Sequence, residues 1–235
     1  MTVIEVRDLS VRLGGREVLK KIDFESRESL ILLIGPNGSG KTTLLKTLAG
    51  LIDGYRGVIR INGRDIRELR RRDIARLVGF VWQNPYYGFI EPRVYDEIML
   101  ITRILGEEKI DREIIDSLVD PELFHRDPFT LSGGEAKRVS LASVLIIDQP
   151  IWLLDEPFEY LDLSGVELLS DIIQRRRSSK IIIVSSTNIA YLKILRPDKI
   201  MILHRGEIKY FGEIKSFEDE YLERAGIISR RMICW

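Results

Sequence analysis

Two short stretches of this chain hold residues whose types and spacing can do chemistry. Gly35, Pro36, Asn37, Gly38, Ser39, Gly40, Lys41, Thr42 and Thr43 form GPNGSGKTT, which fits the pattern G-x-x-x-x-G-K-[ST]. Glycines let consecutive backbone N–H groups curl around phosphate oxygens with no Cβ in the way, and a helix that follows adds the positive end of its dipole. In such a loop Lys41 reaches the β- and γ-phosphates and the Thr42 hydroxyl ligates Mg²⁺. The pattern marks a nucleoside triphosphate site. Further on, IWLLDEP ends in two adjacent carboxylates, Asp155 and Glu156. Neighbouring side chains of a strand point in different directions, so the two can divide the work. Asp155 would hold the metal, while Glu156 orients or deprotonates the attacking water. Alone, an acidic pair at a strand end is more often surface or capping chemistry; downstream of a phosphate loop it reads as hydrolytic.

Both stretches need elements to position them. SLILLIG before the loop is a continuous apolar strand, and TTLLKTLAGL after it has helical apolar spacing. Strand, loop, helix opens an α/β unit. IWLLD and KIIIVSS are further apolar strands, separated by VELLSDIIQRRR as a helix. Such alternation implies a parallel sheet with its ligand site at the carboxyl ends of the strands. Upstream, TVIEVRDLSVRL and VLKKIDFES read as strands joined at Gly14-Gly15, and Asn62-Gly63 after GVIRI marks a hairpin. LVGFVW is another strand, and IMILHRGEIKYFG is a hairpin turning near Arg205-Gly206. From about Pro85 to Leu131 the chain becomes charged and helix-compatible, with VYDEIMLITRIL and REIIDSLV as helices, and another helix runs through ASVLII.

Composition narrows the functional classes. At 235 residues the chain suits one large domain, or a core with an inserted subdomain. Its 36 basic residues balance 36 acidic ones, so no global field recruits nucleic acid, and none is expected as a partner. The runs Arg70-Arg71-Arg72 and Arg175-Arg176-Arg177 read as solvated helix faces. The single cysteine, Cys234, cannot close an internal disulfide, which fits a reducing compartment. MTVIEVRDLS has no basic start followed by an apolar stretch, and no apolar run approaches the ~20 residues that cross a bilayer. The expectation is a cytoplasmic chain that does not itself span a membrane. His125, His204 and Cys234 read as structural or surface residues, with no zinc spacing among them.

One stretch stays open at this level. IIIVSSTNIA is an apolar strand that ends in Ser185, Ser186, Thr187 and Asn188, and these residue types favour the cap of a following helix.

LSGGE, Leu131 to Glu135, completes a set: in order and spacing with the phosphate loop and LLDEP, it makes the chain resemble an ABC-type ATPase over nearly its whole length. The resemblance implies an α/β P-loop NTPase fold. Its core is a RecA-like parallel sheet with an antiparallel β subdomain (residues 1–84 and 132–212), carrying an inserted ABC helical subdomain (85–131) and a C-terminal tail (213–235). It also implies ATP sandwiched head to tail between two such domains, with Ser132, Gly133 and Gly134 touching the γ-phosphate held by the opposite subunit. Gln83 in FVWQNP resembles the family's Q-loop glutamine, which meets the metal and the attacking water. Leu161-Asp162 resemble its D-loop, with Phe158, Glu159 and Tyr160 varying the commoner small-residue form. VGFVWQNPYYGFIEPRVYDEI is similar to energy-coupling-factor and cobalt-type importer ATPases, and Tyr86, Tyr87 and Phe89 would then be exposed aromatics near a partner's coupling helix, or else pack within the loop.

Two positions depart from the family pattern. Leu13 stands where an aromatic residue usually stacks on adenine, which weakens base stacking. Thr187 stands where a histidine usually holds the γ-phosphate and the water, with Asn188 in place of an acidic residue. Threonine is shorter and always neutral, so impaired hydrolysis is expected at this chain's own loop. The resemblance thus implies the ATP-binding subunit of an importer, using Mg²⁺ and ATP at the cytoplasmic face. Its partners would be a second ATPase subunit, identical or different, and a transmembrane permease. A soluble ABC ATPase outside transport, or a low-turnover nucleotide-binding module, are the alternatives.

Overall fold

The computed structural model describes residues 1–27 and 29–214; Cys234 and nearly all of the expected tail lie outside these. Two sheets organise the chain. The first is antiparallel, in the order β2-β1-β4-β5, and is built from β1 (Val3–Leu13), β2 (Arg16–Arg27), β4 (Arg56–Ile61) and β5 (Arg64–Asp65). The β1–β2 turn falls at Gly14 and Gly15 and the β4–β5 turn at Asn62-Gly63, all four with positive φ. The second sheet has six strands in the order β10-β9-β3-β8-β7-β6: β3 (Ser29–Ile34), β6 (Val78–Val81), β7 (Ile151–Leu154), β8 (Ile181–Ser186), β9 (Lys199–His204) and β10 (Glu207–Glu213). All its pairings are parallel except the β9–β10 hairpin.

Every residue of β3, β7 and β8 is buried, which is why these strands read as unbroken apolar runs. The two-residue period divides each strand between two cores. Ile31, Leu33, Ile151, Leu153, Ile181 and Ile183 pack towards the antiparallel sheet and α1 (Lys41–Leu48). Leu30, Leu32, Ile34, Trp152, Leu154, Ile182 and Val184 pack on the opposite face. There they meet residues of α3 (Val94–Leu105), α4 (Arg112–Leu118), α5 (Gly133–Leu145) and α6 (Leu163–Arg176).

Two short helices, α2 (Arg71–Leu77) and α7 (Tyr191–Leu195), complete the set. Each has fewer than two full turns of apolar pattern, too little for periodicity to expose. Arg70 and Arg71 make exposed pairs with Asp73 and Asp53, as a solvated face would. Arg176 and Arg177 correct that reading for the second run. Arg176 pairs with Asp111 and Asp148, tying α6 to the start of α4, and Arg177 pairs with Asp198. The two runs differ in burial rather than in pairing: the Arg71–Asp53 pair is exposed, whereas Arg176 and Asp111 are largely buried between elements.

No helix among the described residues is long and apolar enough to cross a membrane.

Candidate functional site

The carboxyl ends of three adjacent strands coincide. Ile34 lies beside Ser186, and Leu154 beside Val184, so the loops leaving β3, β7 and β8 emerge together. The loop after β3 is the glycine-rich one. Gly38 and Gly40 have φ of 77° and 109°, and at Gly35 a Cβ would lie 2.3 Å from the Leu203 carbonyl oxygen and 2.5 Å from Ser39 Oγ. Glycine is required at those places by geometry. Ser39 Oγ is buried without a hydrogen-bond partner, and α1 begins with no side-chain cap. An orphaned hydroxyl and uncapped helix N–H groups around a cavity of 220 Å³ suit a phosphate chain. Lys41, Thr42, Thr43, Gln83 and Glu156 line the same cavity with Asn37, Gly38 and Gly40, whereas Asp155, buried next to Glu156, and Gly35, Pro36 and Thr187 lie outside its lining.

Lys41 Nζ donates to the Gly35 carbonyl at 2.8 Å and pairs with Glu156 Oε1 at 3.2 Å, both side chains being more than nine-tenths buried. Burial pushes the Glu156 carboxyl up from its ordinary value, and the Lys41 cation pulls it back. Glu156 also has φ of 44°, an unfavourable conformation for a residue with a Cβ. Its backbone N–H donates to Ser185 Oγ at 2.9 Å, and Ser185 Oγ donates to Asp155 Oδ1 at 2.8 Å. This corrects the capping reading of the β8 end. Ser185 is fully buried and fixes both acidic residues, and the N-cap position of α7 is Ala190, whose methyl side chain has no acceptor to cap with. Asn188 does receive the Ala190 N–H, and Ser186 the Asn188 N–H. The signal that could have found Ser185 is register: as the penultimate residue of β8, it faces the neighbouring strand's acidic terminus. Thr187 follows β8 directly and is exposed.

Ser132 and Gly134 line a different cavity, of 570 Å³, with Arg138, Tyr160 and Asp162. It shares no lining residue with the phosphate-loop cavity. Ser132 caps α5 with a full capping box through Glu135. Tyr160, at φ of 71°, lies against Gly133, where a Cβ would come within 2.9 Å of its ring. Arg138 Nη2 reaches Asp162 Oδ1 at 3.0 Å, and Asp162 caps α6.

The ABC transporter family profile matches residues 19–159, a span that includes the phosphate loop, LSGGE and both carboxylates. The chain belongs to the ABC transporter family. It is 39% identical over 223 residues to a protein of Archaeoglobus fulgidus named as a candidate ABC transporter ATP-binding protein, covering 92% of this chain and 91% of that one. To the energy-coupling factor transporter ATP-binding protein EcfA1 of Fusobacterium nucleatum it is 34% identical over 226 residues, 93% of this chain and 85% of that one. The fold agrees with a dimeric ATP-binding cassette, MJ0796, solved in a post-hydrolysis state with ADP and Pi. The TM-score is 0.79 at 20% identity, over 91% of this chain and all of that one. This is an ATP-binding ABC ATPase.

Within the ABC fold the aromatic trio separates. Tyr87 is 72% exposed, but Phe89 is buried, and half-buried Tyr86 stands edge-on to Phe89 and stacks on Phe129. Of the two readings left open, packing holds for Phe89 and Tyr86, which Phe129 covers, and exposure holds for Tyr87. Leu13 is exposed at the end of β1 and does not line the phosphate-loop cavity; Val18 does.

Proposed function

We propose that this ABC ATPase is the ATP-binding subunit of an importer, pairing head to tail with a second ATPase subunit at the cytoplasmic face of a membrane permease. The observation that carries this reading is the separation of the two half-sites. The phosphate loop with Glu156, and the LSGGE surface, line two cavities of one chain, so each needs its complement from another subunit. The likeness to an energy-coupling factor ATPase supports the importer class.

In this reading the loop N–H groups of Gly35, Asn37, Gly38, Ser39 and Gly40, with Lys41, Thr42 and Thr43, hold the phosphates of ATP, and Pro36, which has no N–H, shapes the loop's path. Thr42, Gln83 and Asp155 are hard oxygen donors that fit Mg²⁺, and with only one carboxylate among them they leave positions for phosphate oxygens and water. Among the described residues no cluster of three or more His, Cys, Asp or Glu could hold a metal alone. Mg²⁺, when bound, would neutralise charge on the phosphates. Glu156 takes the proton of the attacking water, and Gln83 orients that water. Ser132, Gly133 and Gly134 close on the partner's γ-phosphate.

The permease would dock in an apolar groove of 280 Å³ between the core and the insertion, walled by Leu51, Phe80, Trp82, Leu100 and Ile104. Ile90, Ile104 and Tyr87 are exposed beside it, consistent with a protein contact. The test is purification of the tagged full chain from membranes of its source cells. A multi-span membrane protein and an ATPase partner should co-purify in fixed ratio; ribosomes or DNA in their place would overturn the reading.

Two departures give expected results here. Thr187→His should raise the rate of ATP hydrolysis about tenfold, since one added γ-phosphate contact of about 1.4 kcal/mol in the transition state has that effect. Phosphate release by the chain with and without its partner reads this out, and an unchanged rate would show that the position is not a phosphate sensor here. Leu13→Tyr should tighten ATP binding roughly fivefold, because base stacking contributes about 1 kcal/mol or more. Titration with ATP and with tripolyphosphate, which has no base, separates stacking from any general gain.

A further inference from the structure

Two side chains outside the site already described join the Gln83 loop to the LSGGE segment. Lys137, three residues beyond Gly134 in α5, is fully buried. Its Nζ donates to the carbonyl oxygens of Trp82 at 2.8 Å and Gln83 at 3.0 Å. In the opposite direction, the Tyr86 hydroxyl donates to the carbonyl of Leu131, the residue before Ser132, at 3.0 Å. The loop and the signature segment are therefore tied at two points. All three acceptors are main-chain atoms, so these bonds fix the path of the chain rather than the pose of a side chain.

The arrangement carries a cost. Burial pushes the Lys137 ammonium down to about 8, against the pull of Asp155, Glu159 and Glu156. Two charge-assisted bonds to carbonyls offset that desolvation. A methionine would fill a similar volume without either the charge or the bonds. Next to Lys137's acceptors, the Gln83 side chain lines the phosphate-loop cavity and donates to Glu159 at 3.0 Å. Next to Tyr86's acceptor, Ser132 lines the second cavity. The two ties thus bridge the half-sites of one chain through a short, well-packed route, held on one side by the Tyr86, Phe89 and Phe129 rings.

We propose that Lys137 and Tyr86 are positioning residues that lock the Gln83 loop and the Ser132–Gly134 segment into one body, so that nucleotide at the phosphate loop shifts the signature surface offered to the partner. The inference rests on the reading that nucleotide binds at that loop. A demonstrated response of one site to a ligand at the other is the physical warrant such coupling requires.

The experiment is amide hydrogen exchange on the full chain with and without saturating Mg-ATP, alongside the ATP dissociation constant. In the wild type, Mg-ATP should protect residues 37–43 and change exchange across 131–136. In a Lys137→Met, Tyr86→Phe double variant, the affinity and the protection at 37–43 should stay within twofold, while the ATP-induced change at 131–136 falls at least fivefold. Tyr86→Phe alone removes only a hydroxyl and should lower that change about twofold, which keeps the test available if the double variant does not fold. Retention of the full change at 131–136 in these variants would overturn the proposal. So would faster exchange throughout α5 without nucleotide and an intact response to it, since that is the mark of a merely structural role. No protection at 37–43 in the wild type would overturn the nucleotide reading itself, and the coupling with it.

Discussion

Glu156→Gln is expected to lower ATP turnover about 10²- to 10⁴-fold, the usual loss for a general base, while ATP affinity stays within about threefold. Glutamine keeps the shape of the side chain and cannot take a proton. Removing the charge costs Lys41 its buried partner, but the local backbone keeps other anchors: the N–H of residue 156 is held by Ser185, and Lys41 retains its bond to the Gly35 carbonyl, with the phosphates of ATP to replace the lost anion. The phosphate loop therefore keeps its form. In the wild type, burial raises the affinity of the carboxylate for a proton and so makes it a stronger base. Phosphate release at saturating ATP, with binding measured separately, reads out both halves of the expectation. Equal, near-zero rates in wild type and variant, with binding intact, would identify a low-turnover nucleotide-binding module instead.

Much of this site was legible in sequence because its parts are local. GPNGSGKTT carries its own conformational requirements, and the structure shows them as positive φ at Gly38 and Gly40 and a closed space at Gly35. The apolar runs of β3, β7 and β8 followed from burial on both faces, and the parallel order from their alternation with helices. What sequence did not show depends on contacts between distant elements. Ser185 is an ordinary hydroxyl until register sets it beside Asp155. Lys137 looks like one more cation on a helix until its Nζ meets two carbonyls of a loop more than fifty residues away. Arg176 belonged to a run of arginines that looked solvated, and three carboxylates from other segments surround it. Charge and hydroxyl groups acquire meaning from partners, and partners come from topology.

Lys41→Met has an expected effect of comparable size, and here the pH dependence carries the argument. Loss of a charge-assisted contact to the β- and γ-phosphates, about 2–3 kcal/mol, should weaken ATP binding roughly 30- to 150-fold. The variant also leaves Glu156 buried without its cation. Lys41 opposes the upward push of burial on the Glu156 carboxyl, so removing it moves that group further above its unfolded value. A native state that holds its proton more tightly than the unfolded state loses stability as pH rises through the native pKa. The stability deficit of the variant should therefore be small in acid and grow towards neutral pH, to on the order of 3 kcal/mol, the cost of breaking a buried pair on one side. Urea unfolding at several pH values measures it. Lys41→Met combined with Glu156→Gln should recover most of the stability at neutral pH without recovering nucleotide affinity. A deficit that is constant with pH would mean that the Lys41–Glu156 pair does not set the charge state of the buried carboxylate.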